Sequence, residues 1–266
     1  MGSLKEVFAD KQYKSKFIPY ISLGDPEYAL SVEWAKALID GGADILELGI
    51  PFSDPVADGP VIQKSYMRAL AKGFSMDTVL KTTKQIHSYK PSIPLVYLTY
   101  LNPIISYGID VFFQKASDAG IRGMVIPDLP FDAKDSSFVL EKAKSANIDI
   151  IHLITPASTK ERIAAIKKVA SGFIYYVTSY GVTGERSNFA QDLKKRIELA
   201  RKTLLLPICA GFGISTADQA KSIGAYSDGI IIGSAIQRII EDKASNVDEC
   251  ARILNEYAKG ISKAIH

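Results

Sequence analysis

The chain passes from a buried strand into an acidic loop in the stretch Asp44-Ile45-Leu46-Glu47-Leu48-Gly49-Ile50-Pro51-Phe52-Ser53-Asp54-Pro55-Val56-Ala57-Asp58-Gly59-Pro60. Its first half is mostly apolar, which is typical of a strand. Prolines and acids alternate in the second half, so no helix continues through it. A carboxylate inside an apolar strand is costly unless something pairs with it or uses it. Glu47 therefore predicts a functional site, to which Asp54 or Asp58 could bring a second carboxylate for acid–base chemistry.

An apolar strand followed by an amphipathic helix recurs along the chain at the spacing of a βαβ unit, roughly thirty residues. Eight segments have the strand pattern: residues 17–23, 44–49, 94–99, 123–127, 148–154, 173–177, 205–210 and 229–233. Their richness in Ile, Val and Leu is typical of a parallel sheet that is buried on both faces. An open doubly wound sheet is the alternative, but it usually has a Gly-rich turn where this chain has Leu23-Gly24-Asp25-Pro26. The sequence therefore predicts an α/β fold, a single (β/α)8 TIM barrel.

Helix patterns outside the regular repeat complete the predicted barrel. Residues 1–13 place Leu4, Val7 and Phe8 at helical spacing, which predicts an N-terminal helix that plugs the barrel. Two helix patterns, residues 60–71 and 76–87, follow the second strand, and the last βα unit also has an extra helix, which we expect to close the ring against the first. No linker or change of composition divides residues 1–266, so we expect one domain.

The composition narrows the classes of function. A length of 266 residues suits one barrel, which needs about 250. The net charge of +3 is spread over many Lys and Glu residues, which indicates a solvated surface and no nucleic-acid partner. No stretch approaches the roughly 18 apolar residues of a membrane span, and Cys209 and Cys250 have no metal-ligand neighbours. We therefore expect a cytoplasmic protein with two free thiols, no metal and no contact with membranes.

The last two predicted strands end in small residues that suit a phosphate group. Gly211-Phe212-Gly213 follows strand seven, and Gly233-Ser234 opens a helix after strand eight. Glycine lets backbone N–H groups approach an anion closely, and a helix N-terminus adds the positive end of its dipole. TIM barrels often bind phosphate at these two loops. The segment after strand six, residues 180–188, is small and polar, which fits a lid over this site or an ordinary surface loop.

Five motifs together resemble the α subunit of tryptophan synthase along nearly the whole chain. They are Leu46–Gln63, Leu23–Pro26, Tyr180–Gly184, Gly211–Ser215 and Gly233–Ile236, and they follow the order of that family. The first is long and combines chemically dissimilar residues. The resemblance implies a lyase of tryptophan biosynthesis that cleaves indole-3-glycerol phosphate to indole and glyceraldehyde 3-phosphate by a retro-aldol reaction.

The resemblance also assigns roles to individual residues. Glu47 matches the acid–base catalyst, and Asp58 matches the acid that holds the indole N–H. The residues that would line the apolar indole slot or bind the rest of the substrate are Tyr20, Ile62, Leu98, Tyr100, Tyr175, Thr183, Gly184, Gly211, Phe212, Gly213, Gly233 and Ser234. Asp54 and Pro55 match positions that face a partner protein, although Asp54 could equally cap a turn. His152, inside an apolar strand pattern, is expected to be a satisfied structural residue.

The implied partner is a β subunit that carries pyridoxal phosphate, in an α2β2 heterotetramer, and the resemblance implies no cofactor in this chain. Two other functions fit the same residues: a non-catalytic regulatory α-type subunit and a stand-alone indole-releasing lyase. The chain departs from the family at Ser179-Tyr180, where an Arg is common, and at Tyr20, which more often is Phe. The second change adds a hydroxyl group to the slot.

Overall fold

A computed structural model describes residues 2–130, 136–177, 186–211 and 213–266, and for residues 186–192 it describes the backbone alone. Within these residues, eight parallel strands close into a barrel in chain order. The strands are β1 Lys16–Ser22, β2 Leu46–Gly49, β3 Leu95–Leu98, β4 Ile121–Val125, β5 Asp149–Ile154, β6 Ile174–Val177, β7 Ile208–Gly211 and β8 Gly229–Ile232. The last pairs with the first, with Lys16 opposite Gly229. The predicted (β/α)8 barrel is confirmed.

Helices surround the barrel. Those in the described part of the chain are α1 Leu4–Ala9, α2 Tyr28–Asp40, α3 Pro60–Ala71, α4 Met76–Tyr89, α5 Leu101–Tyr107, α6 Ile109–Asp118, α7 Ser136–Ser145, α8 Lys160–Ile166, α9 Arg186–Leu204, α10 Ala217–Gly224, α11 Ser234–Lys243 and α12 Val247–Ile265. The second and last βα units carry two helices each, as predicted. The third unit also has two, because Gly108 at φ 95° interrupts the helical path between α5 and α6. None of the described helices is long and apolar enough to cross a membrane.

The plug helix α1 is shorter than predicted but lies where the sequence placed it. Ser3 and Glu6 form a capping box at its start, and the backbone is already extended at Asp10. Leu4 and Phe8 pack inside the barrel against a core of inward-facing strand residues: Ile18, Ile45, Val96, Val125, Ile151, Phe173, Cys209 and Ile231. These contacts fill the N-terminal end of the barrel, so the opposite end is left for a site.

The last helix completes the helical layer by packing on α2. Ala258 lies so close to Gly41 that a Cβ atom there would be 2.4 Å from the Ala258 Cβ atom. Asn255 Nδ2 donates a hydrogen bond of 2.9 Å to the carbonyl oxygen of Ala37. The ring of helices therefore closes as the sequence predicted.

Each strand begins or ends one to three residues away from a predicted boundary. The seventh strand begins at Ile208 and not at residue 205, because Leu205 ends helix α9 in the left-handed conformation at φ 58° and is 74% exposed. The fourth begins at Ile121, two residues before the predicted start at Gly123. Apolar character alone does not separate the end of a helix from the start of a strand.

The loop between β1 and α2 is held by the single tryptophan of the chain. Trp34 is fully buried, and its Nε1 donates a hydrogen bond of 3.3 Å to the carbonyl oxygen of Asp25. Ser31 Oγ accepts a hydrogen bond of 2.9 Å from the amide of Gly24, whose φ is 82°. These contacts fix the loop beside the site end of the barrel.

Candidate active site

A cavity of about 320 Å³ lies at the C-terminal ends of the strands. Inward-facing strand residues form its floor, and the loops that follow the strands form its walls. Nine of the site residues predicted from the sequence line it: Tyr20, Glu47, Asp58, Ile62, Leu98, Tyr175, Gly213, Gly233 and Ser234. Thr183, Gly184 and Phe212 are outside the described residues.

Glu47 is a carboxyl group buried at the floor of the cavity. The pleat of β2 points it inward, at the same level as Tyr20 of β1 and Val96 of β3. It is 2% exposed, and its Oε1 atom has no hydrogen-bond partner among the described residues. Burial, with the charge of Asp58 as a second cause, raises the pKa of Glu47 to about 8. The side chain therefore carries a proton at neutral pH.

Asp58 reaches the cavity from the loop after β2, directly before α3. The hydroxyl group of Tyr100 donates a hydrogen bond of 2.6 Å to Asp58 Oδ2 and accepts one of 3.2 Å from the amide of Ala57. Burial raises the pKa of Asp58 to about 6, and the Tyr100 hydrogen bond opposes this rise. Asp58 is therefore ionised at neutral pH. Tyr100 lies behind this acid and does not line the cavity.

Neighbouring acids whose pKa values are pushed apart can take different roles in one reaction. Here the buried carboxyl group can donate a proton, while the loop carboxylate can accept a hydrogen bond from a ring N–H or balance a positive charge. The geometry thus provides a general acid and an electrostatic partner in one cavity.

An apolar slot borders the acids. Tyr20, Ile62, Tyr66 and Tyr100 form one buried cluster, against which Leu98 packs. The hydroxyl group of Tyr20 donates to the Tyr66 hydroxyl at 2.9 Å and lies 3.0 Å from Ser22 Oγ. Gly49 leaves room for these hydroxyl groups, because a Cβ atom there would be 2.0 Å from the Tyr20 oxygen. The extra hydroxyl group of Tyr20 is therefore fully accommodated.

Tyr175 points into the cavity from β6 and depends on a glycine next to it. A Cβ atom at Gly211 would be 2.6 Å from the Tyr175 hydroxyl oxygen. Gly211 does not line the cavity, so its structural effect is to make space for this ring. Burial, followed by the charges of Glu47 and Asp58, raises the pKa of Tyr175 well above its usual range.

The turns after β7 and β8 form the other end of the cavity. Gly213 has a φ of 76°, and Gly233 is the N-cap residue of α11. Arg238, which the sequence reasoning missed, also lines the cavity and is its only cationic residue in the described part of the chain. Its position could have been read from the sequence, since a residue four places after Ser234 lies on the same face of a helix. This end therefore combines a helix N-terminus with a positive side chain.

The loop with Asp54 and Pro55 turns away from the cavity. Asp54 is exposed and accepts a hydrogen bond from Ser53 Oγ, whereas Pro55 is buried. A second hollow, of about 460 Å³, lies beside this loop and is lined by residues that include Phe52, Ser53, Phe74, Asn102 and Tyr107. Val56 and Ile105 are 80% and 55% exposed.

His152 is turned away from the cavity. It alternates along β5 with Ile151 and Leu153, which face the barrel interior. Burial, with the charge of Arg162 as a second cause, lowers its pKa to about 4. Its Nε2 atom has no hydrogen-bond partner among the described residues, so the expectation of a satisfied histidine is wrong for that atom, although His152 is not in the site. Within the part of the chain that the structure describes, no group of three or more His, Cys, Asp or Glu side chains could bind a metal.

Two carboxyl groups that titrate at different pH, placed where barrel strands end, put the chain among the (β/α)8-barrel enzymes that use acid–base catalysis. The family model of the tryptophan synthase alpha chain matches residues 8–266. The chain belongs to the tryptophan synthase alpha chain family.

Individual relatives agree with the family model. The chain is 58% identical over 261 residues to the tryptophan synthase alpha chain of Leptospira interrogans, with 98% of each chain covered. It is 55% identical over 265 residues to that of Leptospira biflexa, with 100% of each covered. A crystal structure of tryptophan synthase subunit alpha from Legionella pneumophila superimposes with a TM-score of 0.89 at 32% identity, covering 100% of this chain and 98% of that one. The resemblance seen in the sequence is thereby confirmed.

Proposed function

We propose that Glu47 and Asp58 perform the acid–base chemistry with which this lyase cleaves indole-3-glycerol phosphate to indole and glyceraldehyde 3-phosphate. The observation that carries the proposal is the pair itself. A buried protonated carboxyl group and an ionised one share a cavity that has an apolar slot and a helix N-terminus.

One carboxyl group can serve both proton transfers of the retro-aldol reaction. Glu47 gives its proton to indole C3, which turns the ring into a leaving group. The electrons of the bond from C3 to the side chain then return to the ring. The hydroxyl group on the departing carbon loses its proton to the Glu47 carboxylate and becomes the aldehyde. Glu47 thus ends the cycle as it began, which is general acid–base catalysis by one side chain.

Asp58 supports the protonated ring. Its carboxylate accepts a hydrogen bond from the indole N–H, and this bond strengthens as positive charge grows on the ring. The hydrogen bond from Tyr100 holds Oδ2 in place. Tyr20, Ile62 and Leu98 provide apolar contacts for the indole in the slot.

The phosphate group of the substrate binds at the N-terminus of α11. The amides of Gly213, Gly233 and Ser234 face an anion there, and the helix dipole favours negative charge. Arg238 extends from the next turn of the same face, and side chains in a helix lean towards its N-terminus. Its guanidinium group therefore neutralises part of the phosphate charge.

The test is release of indole from indole-3-glycerol phosphate by the purified chain. Replacing Glu47 by Gln keeps the shape of the side chain but removes the proton that it transfers, so we expect turnover to stop while the substrate still binds. Glu141, exposed on α7, provides the matched control, and Glu141→Gln should behave like the wild-type protein. Normal turnover by the Glu47→Gln variant would remove Glu47 from the mechanism.

Membership of the family implies a β-subunit partner. We propose an α2β2 complex in the cytoplasm, in which pyridoxal phosphate is bound by the β subunit and this chain carries no cofactor. The partner docks on the face formed by Asp54, Val56, Ile105 and the hollow beside them. Exposed apolar side chains around a hollow are typical of a protein-binding surface.

The docking surface can be tested with one charge. Ile105→Asp places a carboxylate in the proposed apolar contact and should weaken binding of the β subunit by about tenfold or more, the effect of roughly 1.4 kcal/mol. Leu199 is 51% exposed on α9, on another side of the barrel, so Leu199→Asp is the control. Equal affinity of both variants for the β subunit, measured by calorimetry, would place the partner elsewhere.

The same assay separates the two alternative functions. A regulatory subunit would release no indole with or without the β subunit, while still binding it. A stand-alone lyase would release indole at full rate without a partner. The partnered lyase predicts slow release alone and faster release after the β subunit is added.

A further inference from the structure

An ion pair between a half-buried arginine and a buried carboxylate ties together three elements that surround the active site. Asp25, in the loop after β1, is fully buried and receives two hydrogen bonds of 2.8 Å from Arg68 on α3, one from Nε and one from a terminal nitrogen. Gln237 on α11 donates to the same carboxylate at 3.3 Å. The second terminal nitrogen of Arg68 lies 3.0 Å from Glu241, also on α11. Arg68 therefore joins α3 to α11 both directly and through Asp25.

The two joined helices bring opposite ends of the site to the cavity. Helix α3 begins directly after Asp58 and Gly59 and carries Ile62 in the slot. Helix α11 begins after Gly233 and presents Ser234 and Arg238 to the phosphate end. The distance between the acid and the phosphate anchor thus depends on how α3 and α11 are held against each other.

We infer that Arg68 is a positioning residue that fixes the acid end of the site at the distance from the phosphate end that one substrate molecule spans. The inference rests on the proposed function, because it takes the cavity to hold a ligand with a ring at one end and a phosphate at the other. Arg68 does not line the cavity, so it acts only through α3 and α11.

A link of this kind affects ligands according to their length. A ligand that touches both ends gains affinity because the first contact holds the second group at a high effective concentration. That gain requires the correct spacing. A ligand that touches one end does not sense the spacing at all. The ratio of the two affinities therefore measures positioning, whereas a general loss of structure lowers both.

The test uses two variants and three ligands. Arg68→Lys keeps the charge but cannot make the forked contact with Asp25. The double variant Gln237→Met with Glu241→Met cuts both contacts from α11, because methionine has no oxygen or amide group, and leaves the Asp25–Arg68 pair intact. Its loss of stability should be small, because the Gln237 Oε1 atom is buried without a hydrogen-bond partner in the described part of the chain, and methionine removes that atom.

The ligands are indole, glycerol 3-phosphate, and an uncleavable compound in which a three-carbon chain joins indole to phosphate. For both variants, we expect the dissociation constant of the joined compound to rise by about tenfold and those of the two fragments to change by less than about twofold. Arg201 makes comparable contacts with Asp228, at 3.0 and 3.1 Å, away from both helices. Arg201→Lys is therefore the matched control and should leave all three constants unchanged.

Any result other than a selective loss of affinity for the joined compound contradicts the inference. Equal weakening of all three ligands would mean that Arg68 has only a structural role, and no change for any ligand would mean that the link does not set the spacing. If the wild-type protein cleaves indole-3-glycerol phosphate, either result rejects this inference and leaves the proposed function in place. If the wild-type protein binds neither fragment nor the joined compound, the proposed function fails, and this inference fails with it.

Discussion

Glu47 keeps a proton at neutral pH because its strand points it into the barrel, where only 2% of the residue is exposed. The pKa of Asp58, about 6, is lower than that of Glu47, about 8, because Asp58 lies on a loop and accepts a hydrogen bond from Tyr100. The rate constant kcat/KM should therefore be highest between about pH 6 and about pH 8. It should fall at lower pH because Asp58 gains a proton, and at higher pH because Glu47 loses its proton.

Removal of the Tyr100 hydroxyl group tests this assignment. Tyr100→Phe deletes the hydrogen bond that lowers the pKa of Asp58, so the pKa rises and the acidic limb of the kcat/KM profile should move to higher pH. The alkaline limb should stay in place. Tyr97 lies on β3, shortly before Tyr100 in the chain, and points outward with its hydroxyl oxygen 2.6 Å from Thr83 Oγ1, so Tyr97→Phe is the control. An acidic limb that does not move would show that Asp58 does not produce it.

The sequence predicted the residues of the site better than it predicted their contacts. Glu47 stood out because a charge inside an apolar strand needs an explanation, and the structure places it at the floor of the cavity. Gly211 was expected to contact the substrate, but its neighbour is the Tyr175 ring, a packing relation between two strands that no linear motif contains. Arg238 was missed because an exposed arginine on a helix is ordinary until the fold shows what lies at the helix N-terminus.

The elements of the barrel divide their work between its two ends. Helix α1 closes the N-terminal end, while α3 and α11 shape the cavity at the opposite end. Changes in α1 should therefore affect stability and leave the chemistry alone, as in other TIM barrels.

Leu4→Ala tests this separation. The Leu4 side chain is fully buried in the barrel, and its loss should lower the free energy of unfolding by about 2 to 5 kcal/mol. Lys5 is exposed on the same helix, so Lys5→Ala is the control. Urea denaturation measures the difference, and kcat well below the unfolding temperature should be unchanged. A Leu4→Ala protein as stable as the control would mean that α1 does not plug the barrel.

Periodicity fixed the order and type of the elements but not all of their ends. Predicted and observed bounds agree for α3 because Pro60 marks its first turn. They disagree at β7, because Leu205 reads as a strand residue although it ends α9 in the left-handed conformation. The extra helix α5 was missed because the sequence had no periodic stretch long enough to separate it from α6.

The whole molecule should become less stable as the pH rises, because burial raises the pKa values of both site carboxyl groups in the folded protein. The pKa of Glu47 is raised from 4.5 to about 8 on folding, so the stability from its protonated form is complete below pH 4.5 and is lost as the pH rises through about 8. The pKa of Asp58 is also raised, from 3.8 to about 6, and adds a loss of the same sign at lower pH.

Glu47→Gln should remove the larger part of this loss, since its amide stays neutral at every pH. Relative to the wild-type protein, the variant should gain stability across that pH range and reach a constant difference above it. The measurement is the free energy of unfolding in urea at several pH values, with Glu141→Gln as the exposed control. A difference that is independent of pH would mean that Glu47 is not buried as a neutral acid.

At the scale of the chain, the closed sheet followed from the count of strand patterns, but the contacts that couple distant parts did not. Arg68 and Gln237 are far apart in sequence, and only the closure of the barrel brings them to the same carboxylate. A single domain over residues 1–266 stays a prediction, supported by the packing of α12 on α2.

Trp34 gives this coupling an optical signal. It is the single tryptophan of the chain, so selective excitation of tryptophan gives fluorescence from this one residue. Its indole N–H donates a hydrogen bond to the carbonyl oxygen of Asp25. Glycerol 3-phosphate has no near-ultraviolet absorption of its own. The fluorescence of the unlabelled protein therefore comes from the residue that holds the linking loop, and it can be followed while the phosphate end is being filled.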